Sequence, residues 1–116
     1  MKRWVTVGLM LATSGALSRA AAQGADGKAL YDEHCKKCHG VLGTPPKTMK
    51  AKYPKIATFD AAFIAKRSDD SVVKVLTKGK SEDMKSFKDA LKPDEMTAVA
   101  KYVRELGSKG KGGGNE

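Results

Sequence analysis

The spacing of apolar residues along the chain predicts short helices and no strands. The clearest period lies near the C-terminal end, where apolar side chains recur every three or four residues, at Met96, Val99, Ala100, Val103 and Leu106. Pro93 suits the first position of a helix, and Asp94 and Glu95 place negative charge in its first turn. The pattern therefore predicts an amphipathic helix that begins at Pro93.

Three shorter helices are predicted upstream. Asp26 is a suitable N-cap for a helix that runs to about Cys38. A second helix is expected over residues 60–67, and a third is expected to begin at residue 68 or 69 and to end at Gly79. With the terminal helix, these segments make the chain an all-α protein.

Two segments, residues 40–58 and 80–91, are predicted as loops. The first holds glycines and prolines at five positions, namely Gly40, Gly43, Pro45, Pro46 and Pro54. A loop of 19 residues without periodicity is unusual in a compact domain unless it wraps around something.

The composition fits one small domain with a thin core. The chain has 116 residues, of which 41% are hydrophobic, 30% charged and 6% aromatic, so multidomain enzymes are excluded. Two cysteines cannot form a disulfide framework. We therefore expect another source of stability for the fold.

The first 22 residues have the features of a secretory signal peptide. A basic start at Lys2 and Arg3 is followed by an uncharged apolar stretch over 4–17 and by three alanines, which predicts cleavage before Gln23. As a helix, the apolar stretch is about 21 Å long, short of the roughly 30 Å hydrocarbon layer, so no stable membrane span is expected. The remaining chain carries a formal charge of +6. It divides into a domain over 23–108 and a Gly/Lys-rich tail over 109–116, which is expected to be disordered.

The most informative residues are Cys35, Cys38 and His39. Residues at positions i, i+3 and i+4 of a helical turn share one face, so both thiols and the imidazole can approach a single flat ligand. The spacing C-x-x-C-H is the attachment signal of c-type haem. It predicts thioether bonds from both cysteines to one covalently bound haem, with His39 as an axial ligand of the iron.

Two other interpretations of these residues are weaker. A structural zinc site needs four ligands, and His34, Cys35, Cys38 and His39 are too closely spaced to form a tetrahedron. A dithiol redox pair is typical of a thioredoxin-like βαβ setting, which this chain lacks.

At this point the chain resembles class I cytochrome c, the family of small monohaem electron carriers. The resemblance extends over the rest of the chain after the signal peptide, through Gly27, Tyr31, the 35–39 motif with Gly40, Met84 with Phe87, and residues 102–104. It implies four to five short helices packed around one haem, with the first and last helices crossing. Gly27 and Tyr31 would then face Val99 and Tyr102 at the crossing.

Three methionines after the signal peptide are candidates for the second axial ligand. Met96 lies on the apolar stripe of the last helix, and Met49 follows His39 by only ten residues. Met84 lies in the second loop and occupies the ligand position of the family, so it is the predicted ligand. The family often has Pro after this Met, whereas this chain has Lys85, which predicts a less rigid loop.

The resemblance also implies residues around the ligands. In the family, a loop proline carbonyl accepts a hydrogen bond from the proximal imidazole, and Pro45 or Pro46 are the candidates here, with Pro54 more distant. Tyr53 and Arg67 are candidate partners of the haem propionates, because the only tryptophan lies in the signal peptide.

These residues predict a soluble, monomeric carrier of single electrons that works in the periplasm or elsewhere outside the cytoplasm. Lysines near the attachment site are expected to steer the protein to acidic surfaces of its redox partners. These lysines are Lys36, Lys37, Lys47, Lys50 and Lys85. The chain has no motif that reads nucleic acids. The alternative is a haem enzyme or gas sensor, with weak peroxidase activity, if Met84 dissociates.

Overall fold

The computed structural model describes residues 25–109, and these residues form six helices and no strand. The helices are α1 (Gly27–His34), α2 (Lys36–His39), α3 (Lys47–Lys52), α4 (Ala61–Lys66), α5 (Asp69–Lys78) and α6 (Pro93–Lys109). The all-α prediction is confirmed, with more helices than expected. None of the helices within 25–109 is long and apolar enough to cross a membrane.

The predicted terminal segments lie mostly outside the described residues. This applies to the signal peptide over 1–22 and to residues 110–116 of the predicted tail. Lys109, which the sequence assigns to the tail, is the last residue of α6.

The predicted starts of three helices are confirmed by their caps. Asp26, Asp60 and Ser68 each accept a hydrogen bond from the backbone amide three residues later, at 3.2, 2.8 and 3.1 Å. Each bond satisfies an amide that has no partner within its own helix. At the other end of α5, Gly79 adopts a φ of 75° and ends the helix as predicted.

Two predictions about the region before residue 60 are wrong in detail. The first helix does not run to Cys38, because Cys35 (φ −122°) interrupts it between α1 and α2. Residues 40–58 are not wholly a loop, since they contain α3. Most of its side chains are exposed, so no apolar stripe marks this helix in the sequence. Pro46 occupies its N-cap position without a side-chain hydrogen bond, and residues of good helix propensity follow.

The first and last helices cross, as the resemblance implied. The backbone of α1 approaches α6 closely at Gly27, where a Cβ atom would overlap the carbonyl group of Ala98. Next to this contact, the rings of Tyr31 and Tyr102 meet edge to face at 5.2 Å. Helices α4 and α5 also pack against α6.

The buried core is small and is built mainly on α6. Its hydrophobic members are Tyr31, Phe59, Leu76, Leu91, Met96, Val99, Ala100, Val103 and Leu106. Within residues 25–109, no charged side chain is buried. The apolar stripe predicted for the last helix is therefore confirmed as the center of the core.

Candidate functional site

The predicted attachment residues lie on a single short turn. The backbone amides of Cys38 and His39 both donate to the carbonyl of Cys35, at 3.2 and 2.9 Å. These bonds keep the three side chains within one turn of helix. Both cysteines are half-buried, and burial raises the pKa of the Cys35 thiol to about 11.

The C-terminal end of this turn is held by α1. The buried phenol of Tyr31 donates a hydrogen bond of 2.7 Å to the carbonyl of Gly40. Gly40 adopts a φ of 85°, a conformation that side chains disfavor, and a Cβ there would overlap the carbonyl of Thr44. The chain therefore turns sharply away directly after His39.

The imidazole of His39 is fixed by one hydrogen bond and one aromatic contact. Its Nδ1 lies 3.1 Å from the carbonyl of Ala57, so Nδ1 carries the proton and donates it, since a carbonyl only accepts. The ring stacks on Phe59, with centroids 4.6 Å apart and planes 20° from parallel. Burial lowers the pKa of His39. The ring is thus held as the neutral tautomer whose Nε2 has a free lone pair.

The structure corrects the predicted partner of His39, which is neither Pro45 nor Pro46. The carbonyl of Pro46 accepts the amide of Lys50 at 3.0 Å, in the first turn of α3, and Pro45 is buried beside it. The physical reason lies in the return of the chain, where the amide of Phe59 donates to the carbonyl of Gly43 at 2.8 Å. This bond lays residues 57–59 alongside the loop and brings the Ala57 carbonyl to the imidazole.

An apolar cavity lies beside this turn. Its apolar walls come from the segment before α4 and from α5 and α6, and they include Phe59, Val72, Val75, Leu76, Val99 and Val103. Four of the candidate site residues predicted from the sequence border the cavity, namely Cys35, His39, Arg67 and Met84. A lining that is mostly apolar, with a few polar side chains, is typical of cofactor sites in proteins.

Other residues considered from the sequence do not line this cavity. Cys38 lies in α2, three residues after Cys35, and is not part of the cavity lining. Tyr53 is the C-cap of α3, with the Lys52 ammonium 5.2 Å from its ring. Unlike Arg67, it does not line the cavity. Met49 belongs to α3, and Met96 is buried in the core with its sulfur 3.4 Å from the Thr77 hydroxyl.

Two residues at the site were missed by the sequence analysis. Ala57 acts through its backbone carbonyl, so its side chain gives no signal. Phe59 is preceded by an irregular segment and belongs to no periodic stripe. An aromatic residue just before the Asp60 cap was the one available hint, because such a residue often packs against the helix that follows.

The crossed terminal helices, the C-x-x-C-H turn and the apolar cavity define a small helical cytochrome of the c type. The family model for cytochrome c matches residues 24–107. The chain therefore belongs to the cytochrome c family, as a class I member, and this membership implies covalently bound haem c and electron transfer.

Solved structures agree with this assignment. The chain is similar to the KustC0563 c-type cytochrome, with 38% identity over 70% of this chain and 96% of that chain and a TM-score of 0.63. It is also similar to a tyrosine-to-phenylalanine mutant of that protein, with 36% identity over 70% of this chain and 98% of that chain and a TM-score of 0.62. Among curated proteins, none matches this chain.

Proposed function

We propose that this protein carries single electrons between redox partners outside the cytoplasm, using one haem bound through Cys35 and Cys38. The observation that carries the proposal is the apolar cavity that Cys35, His39 and Met84 border together. A porphyrin is a large apolar disc, and this cavity offers it apolar walls, a thiol for attachment and two side chains that bind iron. The residues present therefore fit the group.

His39 is proposed as the proximal ligand of the iron. A ligating imidazole needs a deprotonated nitrogen and an orienting partner on the other nitrogen. The Ala57 carbonyl meets the second requirement at 3.1 Å. It also leaves Nε2 as the nitrogen available to the metal, while the stacked Phe59 restricts rotation of the ring.

Met84 is proposed as the distal ligand. Of the three methionines within residues 25–109, it is the one that lines the cavity. Haem in this site supplies one-electron exchange between ferric and ferrous iron, and His/Met ligation raises its reduction potential. If the His39 imidazole and the Met84 thioether held the iron, they would keep small molecules from the metal. The valine and leucine walls offer water few hydrogen-bond partners.

The alternative of a haem enzyme or gas sensor requires an open or labile distal position. Carbon monoxide added to the reduced holoprotein distinguishes the two functions. We expect the parent protein and a Met49→Ala control to bind it poorly, and Met84→Ala to bind it readily. Fast binding by the parent, at the level of Met84→Ala, would favor the sensor or enzyme.

The charge distribution supports a partner with an acidic surface. Residues 34–59 contain six lysines and no acidic residue, and we call this stretch the lysine-rich segment. It includes the attachment turn and, among residues 25–109, the two exposed large apolar residues, Val41 (59% exposed) and Leu42 (54% exposed). An exposed apolar pair on a segment rich in lysine suits transient docking, in which positive charge speeds the encounter with an acidic partner. Docking here places the partner next to His39.

A further inference from the structure

The loop between α5 and α6 carries Met84 at the edge of the cavity. Lys85 follows Met84, whereas proline often follows the ligand in the family, so the sequence predicts a loop that lacks stiffening at this position. In the structure, however, the loop is closed by hydrogen bonds on both sides of Met84.

On the N-terminal side, a tight turn encloses residues 80–84. The carbonyl of Met84 accepts from the amides of Lys80 and Ser81, at 2.9 and 3.3 Å. In return, the amide of Met84 donates to the hydroxyl of Ser81 at 3.2 Å. Both backbone polar groups of Met84 are therefore satisfied within the turn, and Ser81 contributes through both its backbone and its side chain.

On the C-terminal side, Ser86 ties the loop to the end of α5. Its hydroxyl donates to the carbonyl of Thr77 at 2.6 Å and accepts from the amide of Lys88 at 3.2 Å. The amide of Phe87 adds a bond of 2.7 Å to the carbonyl of Leu76. Gly79 makes this approach possible, because a Cβ there would lie 2.6 Å from the amide nitrogen of Ser86.

We propose that Ser81 and Ser86 are positioning residues that hold Met84 at the cavity. Their hydrogen bonds restrict the loop, as the proline that often follows the ligand Met does in the family. The inference rests on the proposed ligation by Met84. Neither serine lines the cavity where the haem would lie. They limit the backbone movement through which the Met84 thioether would leave the metal.

The test measures how readily carbon monoxide replaces Met84 in the reduced holoprotein. Loss of one such hydrogen bond is expected to raise the rate of carbon monoxide binding about fivefold in Ser81→Ala and in Ser86→Ala. Ser86→Thr keeps a hydroxyl and is expected to restore the parent rate. Ser108→Ala is the matched control, because that hydroxyl also donates to a backbone carbonyl, of Arg104 at 2.9 Å, at the far end of α6.

A second readout does not depend on ligand exchange. Amide hydrogen exchange at Met84 is expected to speed up in Ser81→Ala and to stay unchanged in Ser108→Ala. Because Ser81 is exposed, this variant tests the proposal even if Ser86→Ala folds poorly.

The outcomes separate this inference from the proposed function. If Met84→Ala binds carbon monoxide much faster than the parent while both serine variants match the parent, the positioning role is wrong and ligation by Met84 stands. An equal rise in Ser108→Ala would also overturn the positioning role. If Met84→Ala itself behaves like the parent, ligation by Met84 fails, and the positioning role fails with it.

Discussion

Tyr31 and Gly40 are joined by a buried hydrogen bond of 2.7 Å between the phenol and a backbone carbonyl. The bond spans nine residues and connects α1 to the end of the attachment turn. The ring of Tyr31 also meets Tyr102 of α6 at 5.2 Å and Phe59 at 6.2 Å. One fully buried side chain thus links the helix crossing to the aromatic ring that stacks on His39.

Replacing Tyr31 by Phe is expected to destabilise the holoprotein. The variant keeps the aromatic contacts but leaves the Gly40 carbonyl without its partner, at a cost of about 1–2 kcal/mol. For a domain of this size, each kcal/mol lowers Tm by roughly 4–8 °C. Thermal unfolding followed by circular dichroism measures the shift. Tyr53→Phe, at the half-buried end of α3, is the control and should shift less.

The same side chain predicts a loss of stability at alkaline pH. Burial raises the pKa of Tyr31 above its ordinary value of 10.0, because the phenolate is disfavored in the core. Below pH 10 the phenol is neutral in both states, and above it the unfolded chain loses this proton first. The free energy of unfolding should therefore fall as pH rises through 10. The fall should be shallower in Tyr31→Phe, and identical slopes would contradict the assignment.

Gly27→Ala is expected to disturb the crossing of α1 and α6. The added Cβ would overlap the backbone carbonyl of Ala98, which cannot move without shifting α6. Overpacking of this kind costs about 1–3 kcal/mol, and urea unfolding of the holoprotein measures it. Ala29→Ser, at an exposed position of the same helix, should have little effect. If Gly27→Ala proved as stable as the parent, α1 and α6 would have to lie farther apart at this residue than in the structure.

Loss of haem attachment is expected to leave a largely unfolded chain. The small core borders an apolar cavity, and apolar walls that lose the haem lose their packing contacts with it. In Cys35→Ala combined with Cys38→Ala, the far-ultraviolet circular dichroism should show little helix. Each single variant keeps one attachment point and should retain more. A full helical signal in the double variant would show that the polypeptide folds without haem.

Charge reversal in the lysine-rich segment is expected to slow electron transfer to an acidic partner. Lys37→Glu and Lys47→Glu should each lower the second-order rate constant at low salt, and the difference from the parent should shrink as ionic strength rises. Lys101→Glu on α6 makes the same change of net charge outside the segment. Equal slowing by Lys101→Glu would attribute the effect to net charge alone.

The sequence predicts well the features that depend on the type and the regular spacing of side chains. The caps Asp26, Asp60 and Ser68 and the stripe of α6 follow from local rules, and each is present in the structure. The C-x-x-C-H spacing pointed to the family, which the match over residues 24–107 confirms.

The features that the sequence did not predict depend on backbone groups and on the return of the chain. The imidazole of His39 meets the Ala57 carbonyl, 18 residues away, and no local pattern distinguishes that carbonyl from those of Pro45 and Pro46. Helix α3 was not predicted, because most of its side chains are exposed and give no apolar stripe in the sequence. The hydrogen bonds of Ser81 and Ser86 likewise depend on how the second loop folds back onto α5.

The most direct test of the account is a mass measurement combined with a reduced-minus-oxidised absorbance spectrum of the protein from a host able to mature c-type cytochromes. We expect a polypeptide heavier by one haem, a c-type spectrum, and loss of the covalent adduct when both Cys35 and Cys38 are replaced by Ala. A colorless protein with the mass of the bare polypeptide would contradict the account.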